Sequence, residues 1–213
     1  LLTGKMRLPG FDGEWREFHL AKLANIDKQS LGSATPDDFQ FRYISLSDVA
    51  DGSISKKLTI YQFADSPSRA RRVVQSGDVI VATVRPNLMG HARISCEDTD
   101  CIVSTGFAVV TPGENLGTSF FYHWIFSEHF QRKVHGLIAG SNYPAITSGD
   151  VRKMKIFAPG IDEQHAIGQV LDAAEKEMSG LRLKVEFIKT EKKALMQQLL
   201  TGKKRVSVEQ EAA

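Results

Sequence analysis

Glu191-Lys192-Lys193 has the Glu-x-Lys spacing with which metal-dependent nucleases hold a divalent ion and its water. That chemistry also needs a second carboxylate on a neighbouring strand, and this triplet sits in a helical pattern without one. Asn142-Tyr143-Pro144-Ala145 has the composition of the Asn/Asp-Pro-Pro-Tyr/Phe loop of adenine methyltransferases, but Tyr and Pro stand in the wrong order. No glycine-rich cofactor loop accompanies it, and no Gly-x-x-x-x-Gly-Lys-Ser/Thr cradles a nucleotide phosphate. Cys96 and Cys101 lack the second pair or nearby histidines of a zinc site and read as reduced thiols. His123 and His129 lie beside a helical apolar face, where histidines are usually structural. The residues thus offer no catalytic centre, no metal site and no cofactor loop.

Charge is more informative in its clustering than in its sum. The chain carries 27 Lys+Arg and 25 Asp+Glu, and residues 11–160 alone hold 16 of each. A neutral globule does not attract nucleic acid by bulk field, so a nucleic-acid partner must be met by local clusters. These are Lys56-Lys57, Arg69 with Arg71-Arg72, the segment Arg85 to Arg93, and Arg132-Lys133. No run of 18 apolar residues and no signal-peptide pattern occurs, which predicts a cytoplasmic protein without a membrane span.

The elements that must carry these clusters fall into two regions. Residues 11–160 are broken by Gly, Pro, Asn and Asp at short intervals, with apolar runs of strand length between them. Strands are expected at 39–46, 58–63, 70–74, 79–84, 91–95, 101–110 and 154–158. The run Val79-Ile80-Val81-Ala82-Thr83-Val84 is continuous, as in a strand buried on both faces. Between 118 and 137 the period becomes helical, with Phe121, Trp124, Ile125, Phe130 and Val134 on one face.

After Ile161 the pattern changes again. Asp162 is the expected N-cap, and Ile167, Leu171, Ala174, Met178, Leu181, Val185, Ile188, Leu195 and Leu199 recur at steps of three and four, with Lys192 in one seam position. This heptad stripe predicts a helix over 163–200, about 57 Å long at ~1.5 Å per residue, that packs lengthwise against another helix. Leu1-Leu2-Thr3-Gly4-Lys5-Met6-Arg7-Leu8 returns as Leu199-Leu200-Thr201-Gly202-Lys203-Lys204-Arg205-Val206, six identities in eight at a period of 198. Such a period exceeds any solenoid unit and reads as a duplicated module, residues 1–8 being the tail of an equivalent helix from a module absent here.

Several phrases together resemble the specificity subunits of type I restriction-modification enzymes. They are Gly77 to Asn87 (GDVIVATVRPN), Ser104 to Pro112 (STGFAVVTP), Gly140 to Thr147 (GSNYPAIT) with Asp150, Pro159 followed by Glu163-Gln164, and the ending Leu199-Leu200-Thr201-Gly202-Lys203-Lys204-Arg205. Gly160 stands where the family often has a second proline. The resemblance implies an α+β fold: a strand-rich mixed α/β target-recognition domain at 11–160, followed by a single long coiled-coil-type spacer helix at 161–202. Residues 1–10 would be the tail of the preceding spacer helix, 203–213 a disordered tail, and the chain the distal half of a two-module subunit.

It further implies a non-catalytic protein that reads one half of a split duplex DNA target. Its partners would be methyltransferase subunits, which bind S-adenosylmethionine, and an ATP-driven restriction motor subunit. On this reading Arg85, Asn87, Ser141, Asn142 and Tyr143 are the candidate base readers, on loops. Lys56, Lys57, Arg69, Arg71 and Arg72 are the candidate phosphate contacts. An isolated chain is expected to homodimerise through its apolar stripe. The competing reading is a coiled-coil adaptor whose globular part binds protein, favoured by the neutral charge of 11–160.

Overall fold

The computed structural model describes residues 1–138 and 144–205. In chain order the elements are β1 (Arg16–His19), α1 (Leu20–Leu23), β2 (Ala24–Ile26), β3 (Gln40–Ile44), β4 (Val49–Ala50), β5 (Ser53–Ile54), β6 (Thr59–Gln62), β7 (Ala70–Val73) and β8 (Val79–Ala82). They continue as β9 (Ala92–Arg93), β10 (Cys101–Ser104), β11 (Phe107–Pro112), α2 (Thr118–Ile125), α3 (Glu128–Leu137), α4 (Ser148–Lys153), β12 (Lys155–Ala158) and α5 (Ile161–Leu200). The fold is α+β, and the chain divides into one unit over Leu1–Gln169 and a second from Val170 onward.

The first unit is built on two four-stranded sheets, ordered β6-β3-β10-β7 and β2-β11-β8-β9. In the first, β3 and β10 run parallel while the other neighbours are antiparallel; the second is antiparallel throughout. One core cluster draws on both: Ile44, Cys101 and Val103 from the first sheet meet Ile80, Ala82, Ala92, Phe107 and Val109 from the second. This explains the unbroken apolar run at Val79–Ala82, which is buried on both faces as its sequence predicts. Phe120, Phe121, Trp124, Ile125, Phe130 and Val134 of α2 and α3 are buried as well.

The run 101–110, expected as one strand, is two. Thr105-Gly106 carries the chain from the first sheet to the second, and a Cβ on Gly106 would stand 2.8 Å from Leu46. Thr83 donates both its N–H and its hydroxyl to the Gly106 carbonyl, each at 2.8 Å, which holds this corner against the end of β8. The helix expected over 118–137 is likewise two, because Ser127 caps α3 by accepting the Phe130 N–H at 3.3 Å. The β4–β5 hairpin turns at Asp51-Gly52, both at positive φ (47° and 78°), a pair that suits a two-residue hairpin turn. β1 pairs with β12, Arg16 opposite Ala158, which ties the two ends of the first unit's chain together.

Residues 1–8 form no helix. Gly4 stands at positive φ (72°), in a turn rather than a helix. The segment instead packs on the first unit, with Arg7 bonded to Glu163.

α5 begins at Ile161, so Asp162 lies inside its first turn rather than at the cap, where its charge complements the helix dipole. The opening turns belong to the first unit. Gln164 is buried, its Oε1 accepting the Gly117 N–H at 2.9 Å and its Nε2 donating to the carbonyls of Pro159 at 2.9 Å and Asn115 at 3.3 Å. Gly168 approaches α2 so closely that a Cβ would stand 2.7 Å from Ser119 Cβ. Ile167, expected in the pairing stripe, is fully buried in this same packing and cannot meet another helix. The second unit, taken alone, is helical through Leu200, with Met178, Leu181, Val185, Ile188, Leu195 and Leu199 exposed. Gly202, at φ 69°, follows as the left-handed stop.

Candidate nucleic-acid interface

β8 leaves the core at Thr83 and delivers the chain into a tight loop over 85–91. Arg85 and Met89 both adopt left-handed backbone (φ 49° and 54°), with one turn of 3₁₀ helix, Pro86–Leu88, between them. Non-glycine residues persist in that region only where surroundings over-determine them. Here the Arg85 N–H donates to the Pro144 carbonyl at 2.8 Å, Val84 bridges Ala145, and the Ile146 N–H donates to Thr83 at 2.8 Å. The loop's own bonds are Leu88 N–H to Arg85 and His91 N–H to Met89, at 2.9 and 2.8 Å.

His91 anchors the far end. Its ring is fully buried, edge-on to Phe126 and Phe130 at 5.7 and 5.5 Å, and its Nδ1 accepts the Ala82 N–H at 3.0 Å. That bond places the proton of the neutral ring on Nε2, which has no hydrogen-bond partner among the described residues. Burial alone pushes the imidazole down to about 4, so it is neutral at physiological pH. The outcome is a stiff platform on which Arg85, Asn87 and Leu88 are exposed while Pro86 and His91 are buried.

The other expected site residues separate into two groups. Lys56, Lys57 and Arg69 are exposed on loops, at 55–58 and ahead of β7. Arg71 and Arg72 are half-buried and already engaged within the fold. Arg71 lies 4.8 Å over the Phe63 ring, and its Nη1 donates to the Ala70 carbonyl at 2.8 Å and to Ser66 Oγ and the Pro67 carbonyl at 3.4 Å. Arg72 pairs with Asp27 at 2.9 Å, and the Asp27 carboxylate also accepts the Val109 N–H at 2.9 Å. Arg72 therefore ties β7 of the first sheet to β11 of the second, a structural role. Ser141, Asn142 and Tyr143 lie outside the described residues; the flanking Pro144 and Ala145 run beside the Arg85 loop.

One group escaped the sequence reading. Lys133 of α3, Lys153 of α4 and Lys155 of β12 line a cleft of about 300 Å³ floored by Leu137 and Met154. Only Lys133 fell within a recognised cluster; Lys153 and Lys155, close together in the chain, lie about twenty positions further on. Lys155 is held there by Glu17 at 2.8 Å. Cys96 and Cys101 are unbridged, and burial pushes the Cys101 thiol up to about 12, far from nucleophilic use. Among the described residues no helix is long and apolar enough to cross a membrane.

The family model of the Type I restriction modification DNA specificity domain matches residues 13–186, most of the chain. The chain belongs to that family. It is 29% identical over 138 residues to the MjaVIII specificity subunit of Methanocaldococcus jannaschii, covering 63% of this chain and 32% of that protein. It is 24% identical over 165 residues to the HindI specificity subunit of Haemophilus influenzae, covering 74% and 34%. The chain thus spans about a third of the length of these relatives. Among solved structures, the HsdS subunit from Thermoanaerobacter tengcongensis superposes with a TM-score of 0.72 at 28% identity, over 92% of this chain and 50% of that one. A chain from a study of complex assembly and conformational transition in the type I R-M system superposes at 0.74 and 26%, over 95% and 52%. The M. genitalium S subunit shares the fold at 0.59 and 15% identity, over 91% and 47%.

Proposed function

We propose that this specificity-domain chain reads one half of a split duplex DNA target and addresses partner subunits to it. The partners are adenine methyltransferase subunits, which carry S-adenosylmethionine, and an ATP-driven restriction subunit, working in the cytoplasm. The observation that carries this reading is the family match over residues 13–186, on a unit whose buried strand β8 presents Arg85 and Asn87 on a rigid, doubly anchored loop. Loops held by a sheet keep donors at fixed geometry, which base reading in the major groove requires. Lys56, Lys57 and Arg69 serve as phosphate contacts, which orient without specifying. The chain itself takes no cofactor.

α5 acts as spacer and assembly element. Its exposed stripe from Met178 to Leu199 packs antiparallel on an equivalent helix, supplied by another module or by a second copy in a homodimer. The Glu163 to Ile167 turn is spent on the chain's own globule, so the free rod is shorter than its sequence suggests. Residues 170–200 span about 46 Å at ~1.5 Å per residue, or about 14 base pairs of duplex at ~3.4 Å each.

The test is a band-shift series on duplexes carrying the methylated sites mapped in the source genome, with the chain co-expressed with its methyltransferase. Arg85→Ala should relax preference at a single base pair by about 1–3 kcal/mol. An equal loss on every sequence would make Arg85 a phosphate contact, and no salt-dependent binding in any complex would refute the DNA reading.

A further inference from the structure

Leu88 stands 66% exposed at the turn of the Arg85 loop. Single apolar side chains on a surface are common and call for no explanation where the backbone is free to adjust. Here it is not. Arg85 and Met89 bracket the turn at positive φ, and the ring of Pro86 fixes a third residue between them. The Leu88 N–H donates to the Arg85 carbonyl at 2.9 Å and the Met89 N–H to the Pro86 carbonyl at 3.1 Å, so the turn closes on itself. Pro86 is buried, and α3 packs against residues 86–88. The loop seats its proline in the core and holds its leucine in water.

The neighbours of Leu88 narrow the ligand. The bond to Arg85 closes a turn that brings the two residues together, and Asn87 immediately precedes; both are exposed. Arg and Asn are suited to base edges in the major groove, reading guanine and adenine respectively. The apolar group displayed in that groove is the C5 methyl of thymine, which lies within reach of a side chain set beside such readers. Wedges driven between base steps belong chiefly to minor-groove binders, whose approach does not call for this pair of polar neighbours.

We propose that Leu88 is a specificity-determining contact to the C5 methyl of a thymine, beside the bases met by Arg85 and Asn87. This rests on the reading of the chain as a DNA-recognition subunit and adds a base to it. Hydrogen-bonding groups do not distinguish thymine from uracil; an aliphatic side chain does, by covering the methyl. Stiffness is what makes the contact selective, because a leucine on a mobile loop would settle on the nearest apolar surface of its own protein.

The test measures binding by the chain in complex with its methyltransferase. The probes are duplexes of the mapped target in which each thymine of one half is replaced in turn by deoxyuridine, which removes the methyl and keeps every hydrogen-bonding group. At one position the replacement should weaken binding about fourfold, the worth of covering one methyl group, with little effect elsewhere. Leu88→Ala should bind the unmodified duplex less well and lose the difference at that position. Its urea midpoint should match that of the unaltered chain, since the side chain is exposed. Binding that is intact but indifferent to every deoxyuridine, or equally sensitive in both chains, would overturn the assignment and leave the DNA reading standing. A Leu88→Ala chain that no longer co-purifies with methyltransferase would overturn it in favour of a protein contact. No binding in any complex would remove the DNA reading and this assignment with it.

Discussion

Acidification should release the Arg85 loop through His91, before the bulk of the protein responds. In the unfolded chain an imidazole takes up its proton near 6.5; in the fold His91 resists until about 4. A folded pKa below the unfolded one means that the unfolded state binds more protons between the two values. Stability is then fully present above about pH 7 and is lost as pH falls from 6.5 towards 4. At ~1.4 kcal/mol per tenfold difference in proton affinity, complete protonation removes about 3 kcal/mol, of which about 2 kcal/mol is already gone at pH 5.

The perturbation is His91→Asn, whose side-chain oxygen can still accept the Ala82 N–H but does not titrate. The assay is urea unfolding from pH 8 to pH 5, followed by tryptophan fluorescence. Trp15 and Trp124 both lie in the first unit, so α5 beyond Gln169 is silent. The variant should begin less stable, because a ring is lost from between Phe126 and Phe130, yet lose about 2 kcal/mol less than the native chain on going to pH 5. Other groups, among them His129, titrate in both chains and cancel. Parallel pH dependence in the two chains would refute the argument and place a solvent path or partner at Nε2.

Further outcomes follow from single contacts. Arg72→Ala should cost about 3 kcal/mol in urea unfolding, because it strands the Asp27 carboxylate at 9% exposure; Arg69→Ala should leave stability within ~0.5 kcal/mol and instead lower the salt slope of duplex binding by about 1. Gly52→Ala should lower stability by about 2 kcal/mol, since its Cβ would stand 2.2 Å from the Tyr122 hydroxyl at φ 78°; an unchanged unfolding midpoint would show that the hairpin moves freely. Deleting residues 182–188 removes one heptad, about 10.5 Å of helix, and should shorten the gap between half-sites by about 3 base pairs in methylation mapping, with both half-sites unchanged.

Local patterning made much of this protein legible. The apolar run at 79–82 foretold a strand covered on both faces, and the three-four spacing from Met178 to Leu199 foretold a long helix with an exposed stripe. Both are periodic signals, written within one element and independent of what packs on it. Two local signals went unused: Asp51-Gly52 for the hairpin and Ser127-Glu128 for the helix break.

What the order of residues could not convey is which side chains already have partners. Arg69, Arg71 and Arg72 read alike as cations on a strand, yet of the three Arg69 alone is fully exposed, because Phe63 and Asp27 arrive from other parts of the chain to hold the other two. Ile167 continues the heptad stripe in every respect that periodicity can detect, but its turn packs against α2, nearly fifty positions earlier. Glu163 reads as an ordinary first-turn acid until Arg7, 156 positions away, makes it the buried half of an ion pair. Sequence alone determined the periods, and with them the buried strand at 79–82 and the exposed rod. Tertiary structure decided which charges and apolar groups are spent inside the fold and which remain for another molecule, because burial and pairing depend on distances between residues that the chain's order does not encode.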